Sequence, residues 1–341
     1  MTVSRIAIIG AGVGGLTAAV ALRREGFDCE VYERQHALPD DGYGIQISPN
    51  AAALLDASVF ASAARPAVRE IRRWRDNSVL TRINLGRYGT PYYTMRRGAL
   101  IGALARGSNV RFGHRVASLS SLSELEGEVV VGADGLNSVV RGVLADDPPR
   151  YSGYVAYRAV VPVPLDRVVV WLGPDRHCVA YPIDEAGHTN VVAVAPHVSV
   201  GLADGFEEWH PAVRRLIAEM GDVAPHALHD RAPLPAWHRG RVVLIGDAAH
   251  PMLPFAAQGA GQAIEDAVVL AECLRGPEAY ARFEATRRPR VDRVFAMSRS
   301  GLDSYHLPDG DQQRHRDQAM ARTSADAFDW LYGHRATAAA T

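Results

Sequence analysis

The residues best placed to do chemistry lie in Gly246-Asp247-Ala248-Ala249-His250-Pro251, which continues through Pro254 to Gln258-Gly259-Ala260-Gly261-Gln262. An acid at the end of a buried strand, followed by a glycine-rich turn into a helix, offers a carboxylate and unpaired backbone N–H groups to a polar or anionic ligand. The strand is Arg241-Val242-Val243-Leu244-Ile245. The helix follows from Ile264, Ala267, Val268, Ala271 and Leu274, which recur on one face.

Two upstream segments repeat the arrangement. Arg5-Ile6-Ala7-Ile8-Ile9 reads as a strand, and Gly10-Ala11-Gly12-Val13-Gly14-Gly15 fits G-x-G-x-x-G directly after it, ahead of alanine-rich helical spacing from Leu16 to Arg24. A second strand, Cys29-Glu30-Val31-Tyr32, ends at Glu33 and Arg34. An acid about 20 residues past the glycines suits a ribose diol, while the glycines allow backbone to approach a pyrophosphate. These residues predict a dinucleotide site. The third segment, Val129 to Ser138, places Asp134 at another strand end, with Arg141 three residues beyond Ser138. Three strand ends carrying Gly or Asp predict a ligand along the carboxyl edge of one parallel sheet.

Organisation follows from these motifs. Residues 1–70, 95–150 and 240–300 are expected to form a discontinuous nucleotide domain, with Gly42-Tyr43-Gly44-Ile45-Gln46 as a loop close to the ligand. Residues 71–94 and 151–239 are expected to form an inserted antiparallel sheet, because Tyr154–Val161, Val168–Leu172, Cys178–Ile183 and Asn190–Val194 are β-branched or alternating runs between Pro- or Gly-containing turns. Helices are expected over 301–335, and the small-residue tail 336–341 reads as disordered.

Composition sets limits. The chain has 341 residues, 48% of them apolar, and no apolar run near the ~18 residues of a spanning helix. A formal charge of −1 gives no field that favours nucleic acid or a membrane. Three cysteines (Cys29, Cys178, Cys273), and a first strand that begins too early for a signal peptide, lead us to expect a reducing cytoplasm. No Cys/His spacing suggests a metal. The chain contains no lysine, which excludes Schiff-base, pyridoxal phosphate and Walker-type chemistry.

Taken together, the segments resemble the flavoprotein aromatic hydroxylases, single-component FAD monooxygenases of the para-hydroxybenzoate hydroxylase type. The likeness is strongest to the salicylate, 3-hydroxybenzoate and 6-hydroxynicotinate hydroxylase branch. It is carried by Gly246–Pro251, Gln258-Gly259-Ala260, Ile264-Glu265-Asp266-Ala267, Gly153-Tyr154-Val155-Ala156-Tyr157-Arg158 and Asp329-Trp330-Leu331-Tyr332. It runs from the first strand to about residue 333, with shortening near 55–70 and 105–128. The resemblance implies an α/β fold: a Rossmann-like FAD-binding domain of the GR2 type, an inserted substrate sheet and C-terminal helices. It also implies hydroxylation of a small aromatic with NADH or NADPH and O2 through a 4a-hydroperoxyflavin.

By the same resemblance, Gly10, Gly12 and Gly15 face the pyrophosphate and Glu33 the adenosine ribose. Arg97 contacts the flavin from Arg96-Arg97-Gly98-Ala99-Leu100, where the family's preceding histidine is replaced by Arg96. Asp134 lies near the pyrophosphate, Asp247 on the ribityl chain, and Pro254 against the flavin face beside the substrate. Gly259, Ala260, Gly261 and Gln262 direct helix amides at the ring edge that becomes negative on reduction. Strand alternation puts His177, Val179 and Tyr181 on one face. The family uses the His and Tyr at the substrate's phenolic oxygen, where a base converts phenol to the more nucleophilic phenolate. Arg158 is a candidate for a substrate carboxylate. The alternatives are a flavin oxygenase, epoxidase or oxidase acting on a larger natural product, a non-catalytic FAD-binding redox sensor, and a plain NAD dehydrogenase. The expected assembly is a monomer or homodimer.

Overall fold

The protein is described from a computed structural model covering residues 5–39, 42–118, 120–125, 129–196 and 202–337. The first unit is β1 (Arg5–Ile9), α1 (Val13–Arg24) and β2 (Asp28–Tyr32). Gly14 lets α1 lie close on the later helix that also covers this sheet, since a Cβ there would sit 3.2 Å from that of Ala263. The chain then forms β3 (Gly44–Ile47), a single turn α2 (Pro49–Ala52), β4 (Val68–Arg73), β5 (Val79–Asn84), β6 (Tyr93–Arg96), α3 (Arg97–Ala105) and β7 (Val110–Arg111). After β8 (Val129–Gly132) come β9 (Arg150–Val161), β10 (Val168–Gly173), β11 (Arg176–Pro182) and β12 (Thr189–Pro196). They are followed by α4 (Pro211–Met220), β13 (His226–Asp230), β14 (His238–Arg239) and β15 (Val242–Leu244). The helices α5 (Gly259–Cys273), α6 (Ala279–Ser304), α7 (Asp311–Ala321) and α8 (Asp329–Tyr332) complete the order.

One sheet runs β14-β15-β8-β1-β2-β7 and is parallel except at β14–β15. Apart from Arg5 at the head of β1, its central strands are apolar runs, as a sheet covered on both faces requires. A second, seven-stranded sheet runs β13-β9-β12-β11-β10-β4-β5. It is antiparallel except where β10 meets β4 in parallel. The short β3–β6 ribbon bridges the two.

The two faces of the second sheet pack against different elements. Cys178, Ala180, Val191, Ala193, Tyr157 and Ala159 pack under α4. On the opposite face, His177 pairs across Val194 to Ala156, Val179 across Val192 to Arg158, and Tyr181 with Asn190 beside Val160. This second face looks toward β3, the 254–256 turn and the C-terminal helices. The expected shared face of His177, Val179 and Tyr181 is therefore present.

Three details differ from the sequence reading. β4 begins at Val68, inside the segment assigned to the nucleotide domain, because it pairs with β10 and β5. α6 runs unbroken past residue 300, with Pro289 inside it. Ala336, read as the start of a disordered tail, is 3% exposed and packs in the nucleotide-side core, while residues 338–341 lie outside the described residues. Short side chains gave the tail a loop-like composition, but the same shortness lets Ala336 fit a crowded interior.

Candidate active site

β15, β8 and β1 are neighbours, so the turns after them meet at one edge. The four glycines after β1 divide by role. A Cβ on Gly15 would lie 1.9 Å from the Gly10 carbonyl oxygen, and one on Gly10 would lie 2.5 Å from the Ala133 carbonyl oxygen. These two glycines permit protein to touch protein. Gly12 differs, because a methyl placed on its Cα would meet nothing within 4 Å, so its backbone borders open space. Glu33, at the end of β2, accepts from Ala11 N at 2.8 Å and Gln35 N at 2.9 Å, fixing the acid against the turn. Arg34 beside it is exposed.

Asp134 is used locally. Its oxygens accept from Ser138 Oγ at 2.5 Å, Val139 N at 2.7 Å and Val140 N at 3.2 Å, so the carboxylate caps its own turn while the backbone abuts Gly10. Arg141, 1% exposed, donates to the carbonyls of Ala248 and Ala249 at 3.1 and 2.7 Å, tying this turn to the Asp247 turn.

Asp247 is exposed at the turn after β15. Surrounding protein raises its pKa, with His250 and Arg97 opposing the rise. Its Oδ1 lies 3.8 Å from a methyl built on Gly259. α5 starts there with Gln258 as N-cap and no side-chain cap, leaving the first-turn amides of Gly259, Ala260 and Gly261 for a ligand. Pro254, seven residues past Asp247, and Arg97, whose charge acts on Asp247 from a distant part of the chain, are both exposed, and Arg97 N donates to the Tyr43 carbonyl at 3.0 Å. An open glycine, an uncapped helix start and a solvent-reached acid along one sheet edge fit FAD.

Behind α5 lies a buried ionic network. Arg287, 1% exposed, donates to Asp266 Oδ1 at 2.8 Å, Glu265 Oε2 at 2.6 Å and Gln262 Oε1 at 2.7 Å. Arg290 and Asn50 also donate to Glu265, and Asp266 accepts from Gly246 N at 2.9 Å. His250 Nε2 lies 2.6 Å from Asp266, which makes this histidine a support for the turn. Burial works to raise the Asp266 pKa, but His250 and Arg287 prevail and hold it at about 2. The Glu265-Asp266 pair is visible in the sequence. Its partners Asn50, Arg287 and Arg290 are not, because no spacing links them to it.

On the second sheet, Tyr181 is 3% exposed and packs against Gly44, where a Cβ would meet its ring at 2.8 Å. Burial raises its pKa, against the pull of Arg158. Asn190, which sequence reasoning missed, accepts from Gly44 N at 2.6 Å and leaves its buried Nδ2 unpaired. Arg158 shows no hydrogen bond or acidic partner among the described residues. Burial lowers its pKa, with Arg97 adding and Tyr181 and Tyr43 opposing. Arg69, also missed, lies two strands from Tyr181 on the same face. It is 7% exposed, reaches Tyr332 Oη at 3.4 Å and leaves Nε unpaired. His177 is 2% exposed, packs edge-on to Phe255 and Tyr305, and places Nδ1 2.8 Å from His306 Nε2. A groove of about 200 Å³ outside α1 and α3, lined by Val20, Leu54, Val59, Leu104 and Val268, shares no residue with this site.

A model of the FAD binding domain matches residues 212–298, and one of the NAD(P)-binding Rossmann-like domain matches residues 8–60. The 3-amino-4-hydroxybenzoate 2-monooxygenase of Streptomyces cremeus is 38% identical, with 97% of this chain and 95% of that protein aligned. The chain belongs to the FAD-dependent aromatic hydroxylases. The 6-hydroxynicotinate 3-monooxygenase of Pseudomonas fluorescens is 34% identical over 86% of this chain and 90% of its own. Among solved structures, HpxO of Klebsiella pneumoniae complexed with FAD and uric acid superposes with a TM-score of 0.82 at 26% identity, covering 95% of this chain and 94% of that one. The Streptomyces alignment spans 376 positions for 97% of 341 residues, so this aromatic hydroxylase carries internal gaps of about 45 positions.

Proposed function

We propose that this hydroxylase acts on a small aromatic acid bearing a ring hydroxyl, using NADH or NADPH and O2. The observation that carries the reading is Arg158. A half-buried guanidinium without an acid of its own faces the same space as Tyr181 and His177, where a substrate carboxylate would complete it. The names of the Streptomyces and Pseudomonas relatives, each an acid carrying a hydroxyl, support this choice.

In this reading, FAD is held by Gly12 and the α1 start, by Glu33 at the ribose, by Asp247 at the ribityl chain, and by Arg97 and Pro254 beside the ring. Bound there, FAD would supply the redox chemistry by which O2 is activated and one oxygen atom reaches the substrate ring. The amides of Gly259, Ala260 and Gly261 stabilise negative charge at their end of the site, whereas the expected Gln262 amide is spent on the Gln258 carbonyl at 2.8 Å. Arg158 orients the ring through its carboxylate. Val179 and Val192, paired across the sheet, exclude water. Tyr181 contacts the ring hydroxyl, and His177 withdraws its proton. Cys29, Cys178 and Cys273 are free and buried, which supports a reducing, cytoplasmic setting.

The test is NADH and NADPH oxidation by the FAD-loaded protein with 3-amino-4-hydroxybenzoate, 6-hydroxynicotinate, 3-hydroxybenzoate and their carboxamides. Stimulation by an acid, but not by its amide, with a hydroxylated product is expected. Equal response to acid and amide would remove the role of Arg158.

A further inference from the structure

His306 lies just past the C-terminal end of α6, and nothing in its sequence neighbourhood marks it as functional. Its Nδ1 is 2.9 Å from the Leu302 carbonyl oxygen, and its Nε2 is 2.8 Å from His177 Nδ1. A carbonyl can only accept, so His306 carries its proton on Nδ1. In a neutral ring that leaves Nε2 bare, and a bare Nε2 can only accept from His177 Nδ1–H. The remaining nitrogen of His177, Nε2, then carries a lone pair and bonds nothing among the described residues. Both rings are held neutral at rest. Burial keeps His177 well below the usual 6.5, with His306 adding to this. Burial also brings His306 down to about 4, against the Leu302 carbonyl, Asp175 and Asp303, with Arg316 on the lowering side.

We propose that His306 is the positioning and proton-accepting partner of His177, a two-histidine relay that makes His177 Nε2 the base for the substrate's ring hydroxyl. This rests on the reading of the site given above. In the step, the ring O–H bond breaks and an Nε2–H bond forms on His177. Nδ1–H of His177 breaks and Nε2–H of His306 forms. The ring oxygen keeps the electron pair as phenolate, and the positive charge ends on His306.

Against the burial that keeps His306 neutral at rest, several neighbours favour a charge there. The Leu302 carbonyl belongs to the C-terminal turn of α6, where the helix dipole favours a cation. Asp175 and Asp303 act on His306 from the β10–β11 turn and from α6, and Arg316 opposes them from α7. The Asp175 amide also bonds the His306 carbonyl at 3.1 Å, locking the turn to the helix end. Tyr154 stacks on the His306 ring at 4.2 Å between centroids and fixes its plane. Phe255 and Tyr305 are aromatic neighbours of His177, and among the described residues its ring bonds His306 and no carboxylate.

Long-range 1H–15N NMR of histidine-labelled holoenzyme reads the tautomers without any substrate. Both rings protonated on Nδ1, with His177 Nε2 bare, is the expected result. A proton on His177 Nε2 at pH 7 would overturn the relay, whatever the substrate proves to be. Kinetics with an accepted acid provide the second arm. His306→Phe keeps the stacked ring but removes the acceptor, and should lower kcat about 10- to 100-fold with full FAD and KM within threefold. His306→Gln restores a hydrogen-bond acceptor that holds the His177 tautomer but cannot take the proton, and should exceed His306→Phe while staying below the parent. A packing role predicts the reverse order. If His306→Phe matched the parent and exceeded His306→Gln, the relay would be wrong. If no acid is turned over, the substrate reading fails, and the tautomers alone decide the relay.

Discussion

The two sheets of this hydroxylase offer a ligand two different kinds of site. At the edge of the parallel sheet, backbone does the work: turns without side chains, an uncapped helix and acids at strand ends. On the face of the second sheet, side chains from separate strands converge, and what orients them comes from distant elements. A backbone site tolerates no added atom, whereas a side-chain site can lose one function while the rest stands. That difference predicts how substitutions should separate.

The largest effect is expected at Gly15. Gly15→Ala puts a methyl 1.9 Å from the Gly10 carbonyl and should cost about 3 kcal/mol or more, so that FAD-loaded protein is not recovered. The ratio of flavin to protein absorbance reads this directly. A yellow, stable Gly15→Ala protein would break the contrast at its strongest point. Next comes Asp266→Asn, which leaves Arg287 and His250 facing a lost charge. It should lower stability by about 3–5 kcal/mol in chemical unfolding.

On the second sheet, Arg158→Met should leave folding and flavin content intact and raise KM for an aromatic acid by about 10- to 100-fold, the worth of one charged hydrogen-bonded pair. The carboxamide should show no such change. A pH effect should also come from this sheet. His177 and His306 titrate lower in the folded protein than near 6.5 in the unfolded chain. The unfolded state therefore binds more protons below about 6.5, and stability should fall as pH drops toward about 4, by up to about 1.4 kcal/mol per unit for each histidine. Tm measured against pH should slope less steeply in His306→Gln. The smallest stability change is expected for Gly12→Ala, within about 0.5 kcal/mol, because the methyl meets only open space. Its FAD affinity should nonetheless fall tenfold or more.

The same difference decides what could be read from the chain. The backbone site is contiguous in sequence, because a strand, its turn and the following helix are neighbours. Gly10 to Gly15, Glu33 and Gly246 to Gln262 could thus be assigned a cofactor edge, and α/β organisation followed. The second sheet yielded less. Alternation gave the shared face of His177 and Tyr181, since period two is local. Asn190 under Gly44, Arg69 beside Tyr332 and His306 beneath His177 are 129 or more residues from their partners, and no local pattern marks such pairs. Even among the glycines, sequence could not separate Gly12, facing open space, from Gly10 and Gly15, which only let protein approach protein.

The central claim is that both sheets serve one reaction, with the cofactor held by backbone and an aromatic acid held by Arg158, Tyr181 and His177. Product-coupled NAD(P)H oxidation tests it most directly, with FAD-loaded protein and a hydroxylated aromatic acid in oxygenated buffer. The account predicts a rate well above the acid-free rate, with hydroxylated acid formed in step with nucleotide consumed. A rate unchanged by every acid tested, in a protein that binds FAD fully, would contradict it.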